Sequence, residues 1–171
     1  MPLRDDAGPV DDRWTRVEPG APLQGPSILT LEDAEARGAA LDGLAAAELG
    51  LHIPNDAAVE TVAPWFDRVA LISVDFPSFA DGRGFSLARS LRARGFDGRL
   101  RAAGPVIADQ YAYLRACGFD EVETPDRVSN RQPEPQWAAA AARMTLSYQR
   151  GYAAAGGPRN ILEARAAARR A

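Results

Sequence analysis

Between residues 26 and 124 the spacing of apolar positions switches repeatedly between short continuous runs and helical periodicity. The pattern predicts a strand at "PSILTL", a helix over "EDAEARGAALDGLAAAELG" with a glycine interruption, and a short strand at "LHIP". It then predicts a helix over "DAAVETVAPWF" with Asn55 or Asp56 as its N-cap. "RVALISVDF" is a continuous apolar run of the kind found in a parallel sheet buried on both faces. "GFSLARSLRARG" follows as a helix ended by Gly95, "GRLRAA" as a strand, "IADQYAYLRACG" as a helix ended by Gly118, and "DEVET" as a fifth strand. Strand–helix units of this length require right-handed crossovers. The expectation is an α/β fold of about five mostly parallel strands with flanking helices. Either an open doubly wound sheet or a partial (β/α) barrel fits, because periodicity does not separate the two.

Residues 1–26 hold five prolines and few apolar anchors, which predicts an extended N-terminal arm before a single α/β domain over 27–152. After the loop "TPDRVSNRQPEP", Trp137, Ala141, Met144 and Tyr148 fall on one stripe of a helix that starts near Pro135 and stops at Gly151. Residues 153–171, rich in Ala and Arg behind a Gly-Gly-Pro break, are expected to form a flexible or partner-dependent tail.

Composition narrows the chemistry. A chain of 171 residues can bury roughly 70% of the surface it exposes when unfolded, so it owns a real core. The longest strongly apolar run, "VALISV", falls far short of the roughly 20 residues that span a bilayer, and the acidic N-terminus lacks a signal peptide's apolar segment; a cytoplasmic protein is expected. Cys117 is the only cysteine, which excludes an internal disulfide and a thiolate cage for zinc or an iron–sulfur cluster; no cofactor or metal is expected on this chain. The net charge of −3 conceals a polarity: residues 1–60 carry four arginines against twelve carboxylates, and residues 61–171 carry sixteen against eleven. Every basic residue is arginine, so lysine chemistry is excluded. Mild acidity without a basic stripe argues against nucleic acid as a partner.

In parallel α/β folds, ligands collect where the carboxyl ends of strands lead into helices. The loop "PSFADGRG" holds such a position. Gly82 and Gly84 would permit unusual backbone angles around Arg83, so that amides and guanidinium face one anion, with Asp81 and Ser86 beside them. The plainer reading is a glycine turn capped by Asp81 with Arg83 in solvent. A single helix terminus and one charged hydrogen bond reach only about millimolar affinity, so a useful site needs a second arginine. Arg101, at the end of the next strand, and Asp109 and Gln110, entering the next helix, are the candidates, although Arg101 can equally pair with Asp81 or Asp75. Arg89 and Arg92 lie off the Phe85, Ala88, Leu91 stripe and read as a solvated face or a partner surface. Cys117 continues the Ile107, Tyr111, Leu114 spacing and reads as a core thiol. Asp75 is a possible general base, but neither His52 nor a second carboxylate is tied to it by spacing.

The stretch "FPSFADGRGFSLARSLRARGFDGRLRAAGPVIADQYAYLRACGFDEVET", residues 76–124, resembles the bacterial domain of unknown function 934 family. The matching positions include Phe76, Pro77, Phe79, Asp81, Gly82, Arg83, Gly84, Ser86, Arg92, Arg101, Asp109, Gln110, Cys117, Gly118, Phe119 and Asp120. Pro105 and Ala108 depart from the pattern. The resemblance implies an association with sulfate assimilation, members commonly being encoded beside a sulfite or nitrite reductase haemoprotein. The expected function is an accessory protein of assimilatory sulfite reduction that binds a partner reductase or a small sulfur oxyanion through the Arg/Gly-rich loop. The alternatives are an enzyme acting on a phosphate- or sulfate-bearing small molecule, with Asp75 or Asp109 moving a proton, and a non-catalytic scaffold.

Overall fold

The computed structural model describes residues 1–143. In chain order its strands and α-helices are β1 (Leu3–Asp5), β2 (Gly8–Val10), β3 (Thr15–Arg16), β4 (Ser27–Thr30), α1 (Leu31–Arg37), β5 (Leu49–Ile53), α2 (Val59–Val62), β6 (Leu71–Asp75), α3 (Arg83–Ala93), β7 (Arg99–Ala103), α4 (Ala108–Cys117), β8 (Glu121–Glu123), α5 (Asp126–Ser129) and α6 (Glu134–Arg143). All eight strands join one sheet in the order β2-β1-β8-β7-β6-β5-β4-β3. From β3 to β8 the neighbours are sequential and parallel, while the β1–β2 hairpin is added antiparallel to β8. The strand count is therefore eight rather than five. A doubly wound sheet reverses its order at a switch point, and this one does not. It is a curled half-barrel wound in a single direction.

Chain length alone requires the curl. Val10 ends β2 and Thr15 begins β3, five residues later, yet these strands are the two edges of the sheet. Five residues reach at most about 18 Å, whereas seven spacings of about 4.8 Å would hold the edges of a flat sheet about 34 Å apart. Residues 11–14 thus strap one edge to the other across the inner face. The arm expected over 1–26 is built into the sheet at both ends.

Alternation along the strands separates the faces. Leu29, Leu51, Ile53, Ile72, Val74, Leu100, Ala102 and Val122 point outward into the main core with Leu87, Leu91, Tyr111, Leu114 and Trp137 of the helices. Their neighbours face the inside of the curl. There Trp14 packs on Ile28 and Leu71, Leu3 and Ala103 share the register of Glu123, and His52, Ser73, Arg101, Glu121 and Glu123 make the polar part. Gly50 makes room for the indole, since a Cβ there would lie 3.4 Å from Trp14 and 3.3 Å from Ile28 and Leu71.

Several local expectations change. The helix expected from residue 32 ends at Arg37, because Gly38 takes φ +48° and two short 3₁₀ turns carry the chain to β5. The next helix shortens to four residues with Ala58, not Asn55 or Asp56, at its N-cap. On α6, Trp137 and Ala140 are buried while Ala141 is exposed; Met144 and Tyr148 lie outside the described residues. Cys117 is buried as expected, and burial pushes its thiol pKa up.

Candidate functional site

The carboxyl ends of β6, β7 and β8 open on one side of the sheet, and three loops meet there. The first two touch backbone to backbone. Gly104, at φ +141°, approaches Phe76 so closely that a Cβ would sit 2.1 Å from its carbonyl oxygen. Phe76 N–H donates to Ala103 O (2.7 Å) and Gly104 N–H to Glu123 O (2.9 Å), which fastens all three strand ends. Gln110 then holds the loops in register: its Oε1 accepts from Ile107 N–H (3.1 Å) and its Nε2 donates to Phe79 O (2.7 Å). Gln132 Oε1 caps Ala108 N–H from the third loop (2.6 Å). The loops expected to share a site do converge.

The arginines within them do not. Arg83 is 56% exposed and its guanidinium is occupied: Nη2 donates to Asp81 Oδ2 (2.8 Å), Nε to Asp81 Oδ1 (3.1 Å) and Nη1 to Asp56 Oδ2 (2.9 Å). Those hydrogen bonds hold the Asp81 carboxyl far below the usual carboxylate range. Gly82 has φ −86°, and neither it nor Gly84 has a positive φ. The unusual angles expected around Arg83 are absent. Gly84 is small for a different reason, since a Cβ there would lie 2.6 Å from the Phe76 ring. Ser86 is exposed on α3 and accepts through its carbonyl from Ser90 Oγ (3.0 Å).

Arg101 lies not in the loop but on the inner face of β7, fully buried. Nη1 and Nη2 donate to Asp12 (2.6 and 2.8 Å), Nε to Glu121 (2.8 Å) and Nη1 also to Glu123 (3.2 Å). Its partners are these strap and strand acids rather than Asp81 or Asp75. Arg16 completes the network, donating to Glu123 Oε2 (2.7 Å) and to Ser73 Oγ (3.3 Å), whose other partner is His52 Nδ1 (3.1 Å). Burial, then the charge of Arg16, pushes the His52 pKa down against the opposing pull of Asp75 and Glu123. Burial would raise the Asp12 carboxyl, but the Arg101 hydrogen bond, the Trp14 N–H and the two guanidinium charges outweigh it and hold it low. This interior is an ion-paired staple that fixes the strap to the sheet. Ser73 is fully buried, so its contact with His52 is structural and offers no nucleophile to a substrate.

Arg92 is likewise structural, and the solvated-face reading gives way. It donates to the carbonyls of Gly118 (3.0 Å), Phe96 (2.6 Å) and Gly98 (2.7 Å) and to Asp120 (2.6 Å), tying the end of α3 to the turn before β8. Arg89 is half-buried over the Tyr113 ring, 5.3 Å from its centroid.

What remains available came from the segment read as a plain loop. Its "PDRVS" forms α5 behind Pro125, placing Arg127 in the helix and Arg131 one turn beyond. Ten arginines of the described chain are ion-paired to carboxylates. Arg127 and Arg131 are exposed and, among the described residues, neither guanidinium has a hydrogen bond or ion pair. Both line a groove of about 480 Å³ whose floor is Pro77, Phe79, Pro105, Ile107 and Val128. Phe79 is 59% exposed. Gln132 joins this groove to a second depression of about 390 Å³ along Asp109, Gln136 and Ala139. The spacing of Arg127 and Arg131 just past a strand end was visible in the sequence. Their lack of acidic partners was not.

An open groove with an aromatic floor and two uncompensated cations suits the docking of a negatively charged partner better than enclosed chemistry. A family model described as bacterial protein of unknown function (DUF934) matches residues 50–157, and the chain belongs to this family. No curated protein and no solved structure matches it. Among the described residues no helix is long and apolar enough to cross a membrane, and no cluster of His, Cys, Asp or Glu is arranged to hold a metal ion.

Proposed function

We propose that this protein is an accessory of assimilatory sulfite reduction that docks a partner reductase on the groove at the carboxyl ends of β6, β7 and β8. The observation that carries the reading is the pairing pattern: Arg83, Arg92 and Arg101 are consumed inside the chain, whereas Arg127 and Arg131 stand unpaired beside exposed Phe79. The sulfur-assimilation context comes from the resemblance of residues 76–124, whose family members are commonly encoded beside a sulfite or nitrite reductase haemoprotein.

Magnitudes favour a macromolecular partner over a free oxyanion. Two exposed ion pairs contribute about 0.2–1 kcal/mol each, far from the roughly 4 kcal/mol that millimolar affinity demands. Covering the apolar floor adds about 25 cal/mol for each Å² removed from water, and only a ligand with an apolar part collects it. A sulfite or sulfate ion would leave Phe79 and Val128 as wet as before.

The test is a tagged copy expressed in the native cell. The reductase haemoprotein should co-purify with the wild type at low salt and be lost with Arg127→Glu plus Arg131→Glu. Recovery of the haemoprotein in equal amount with that double variant would refute the groove as the dock.

A further inference from the structure

Resting on that docking reading, we infer that the groove takes an extended acidic segment of the partner, anchored by one apolar side chain, rather than a folded surface or a helix. Three features select this occupant. The first is charge. Arg127 and Arg131, unpaired and four residues apart in the chain, line the same groove, so acidic side chains at nearby positions of one segment can reach both. The second is the floor. Phe79, Ile107 and Val128, with Pro77 and Pro105, give the groove an apolar lining suited to a single aromatic or aliphatic side chain.

The third concerns the backbone of the occupant. Gln132 sits where the two depressions meet, and its Oε1 is committed to Ala108 N–H, so its amide nitrogen is the end left to donate. Exposed Gln136 offers a second side-chain amide along the same path. An extended segment presents backbone carbonyls to such donors, whereas a helix has already satisfied its own. Addition of the segment to the sheet is not available here. The loops leave the strand ends at this place, and the edge of β8 is covered by β1. Recognition therefore runs through side chains. Gln110 holds Phe79 in place by its bond to the Phe79 carbonyl (2.7 Å), so the anchor site is formed before the segment arrives.

The probe is a fluorescein-labelled synthetic peptide of Asp and Gly with one central Phe, read by anisotropy against the full chain at low and high salt. Binding should weaken at least about tenfold in Arg127→Glu plus Arg131→Glu, and by a similar factor when ionic strength rises several-fold. Replacing the peptide's Phe by Ser, or using the Phe79→Ser protein, should also weaken it several-fold. All three protein positions are exposed, Phe79 in a loop, Arg127 on α5 and Arg131 just past it, and an unchanged melting temperature confirms that the variants fold. A peptide with Lys for Asp that binds equally well overturns the proposal, as does complete displacement by millimolar sulfate. If the peptide fails to bind while the haemoprotein is still captured through Arg127 and Arg131, the docking reading stands and the linear segment is wrong. If the peptide binds as expected and the haemoprotein is never captured, the segment stands and the identity of the partner falls.

Discussion

Asp12 and Arg101, 89 residues apart in the chain, meet through two hydrogen bonds of 2.6 and 2.8 Å across the inside of the curled sheet. This contact fixes the strap over the inner face and holds a fully buried guanidinium against three carboxylates. Removing Arg101 leaves Asp12 without its guanidinium partner and leaves Glu121 and Glu123 to Arg99 and Arg16 alone. Arg101→Met should cost about 3–5 kcal/mol in urea unfolding, while Asp12→Asn, which leaves Arg101 two acids, should cost about 1–2 kcal/mol. Equal, small effects for the two variants would mean that the network does not hold the strap.

His52 is the only histidine of the chain, which makes one interval of pH diagnostic. Its folded pKa lies below the ordinary value of about 6.5, so between the two values the unfolded chain binds the extra proton. Stability is complete above about pH 6.5 and is lost as pH falls below it. The melting temperature of the wild type should decline between pH 7.5 and 5.5, and His52→Gln should flatten that decline. A slope that persists unchanged in the variant contradicts the assignment.

Gly104 carries the backbone contact that joins two of the site's loops. Any side chain there meets the Phe76 carbonyl at 2.1 Å and must also take φ +141°. Gly104→Ala should lose at least about 3 kcal/mol of stability, seen as a shift of the urea midpoint. Gly82→Ala, at an ordinary φ of −86° and 3.8 Å from its nearest neighbour, should be nearly silent.

The parts of this fold legible in the sequence are those dictated by local periodicity: β4 to β8, α3, α4, and the glycine stops at Gly95 and Gly118. β1 to β3 are only two or three residues long and one is Gly-Pro-Val; they are strands because a partner strand is present, which no local pattern records. The polar inner face did leave a trace. "RLRAA" and "EVE" alternate charged and apolar residues, which a strand covered by helices on both sides would not do. Site residues divided similarly. Spacing placed the Arg83 loop and Gln110 at one edge of the sheet, but which arginines have acids facing them depends on contacts such as Arg83 with Asp56 and Arg101 with Asp12, distant in the chain.

Arg83 and the Arg127–Arg131 pair give the account its sharpest contrast. Co-purification of the reductase haemoprotein from native cells should survive Arg83→Ala, because that guanidinium is held by Asp81 and Asp56, and should be abolished by Arg127→Glu with Arg131→Glu. Loss on Arg83→Ala with full recovery in the double variant would contradict the account and return the binding site to the glycine-flanked loop.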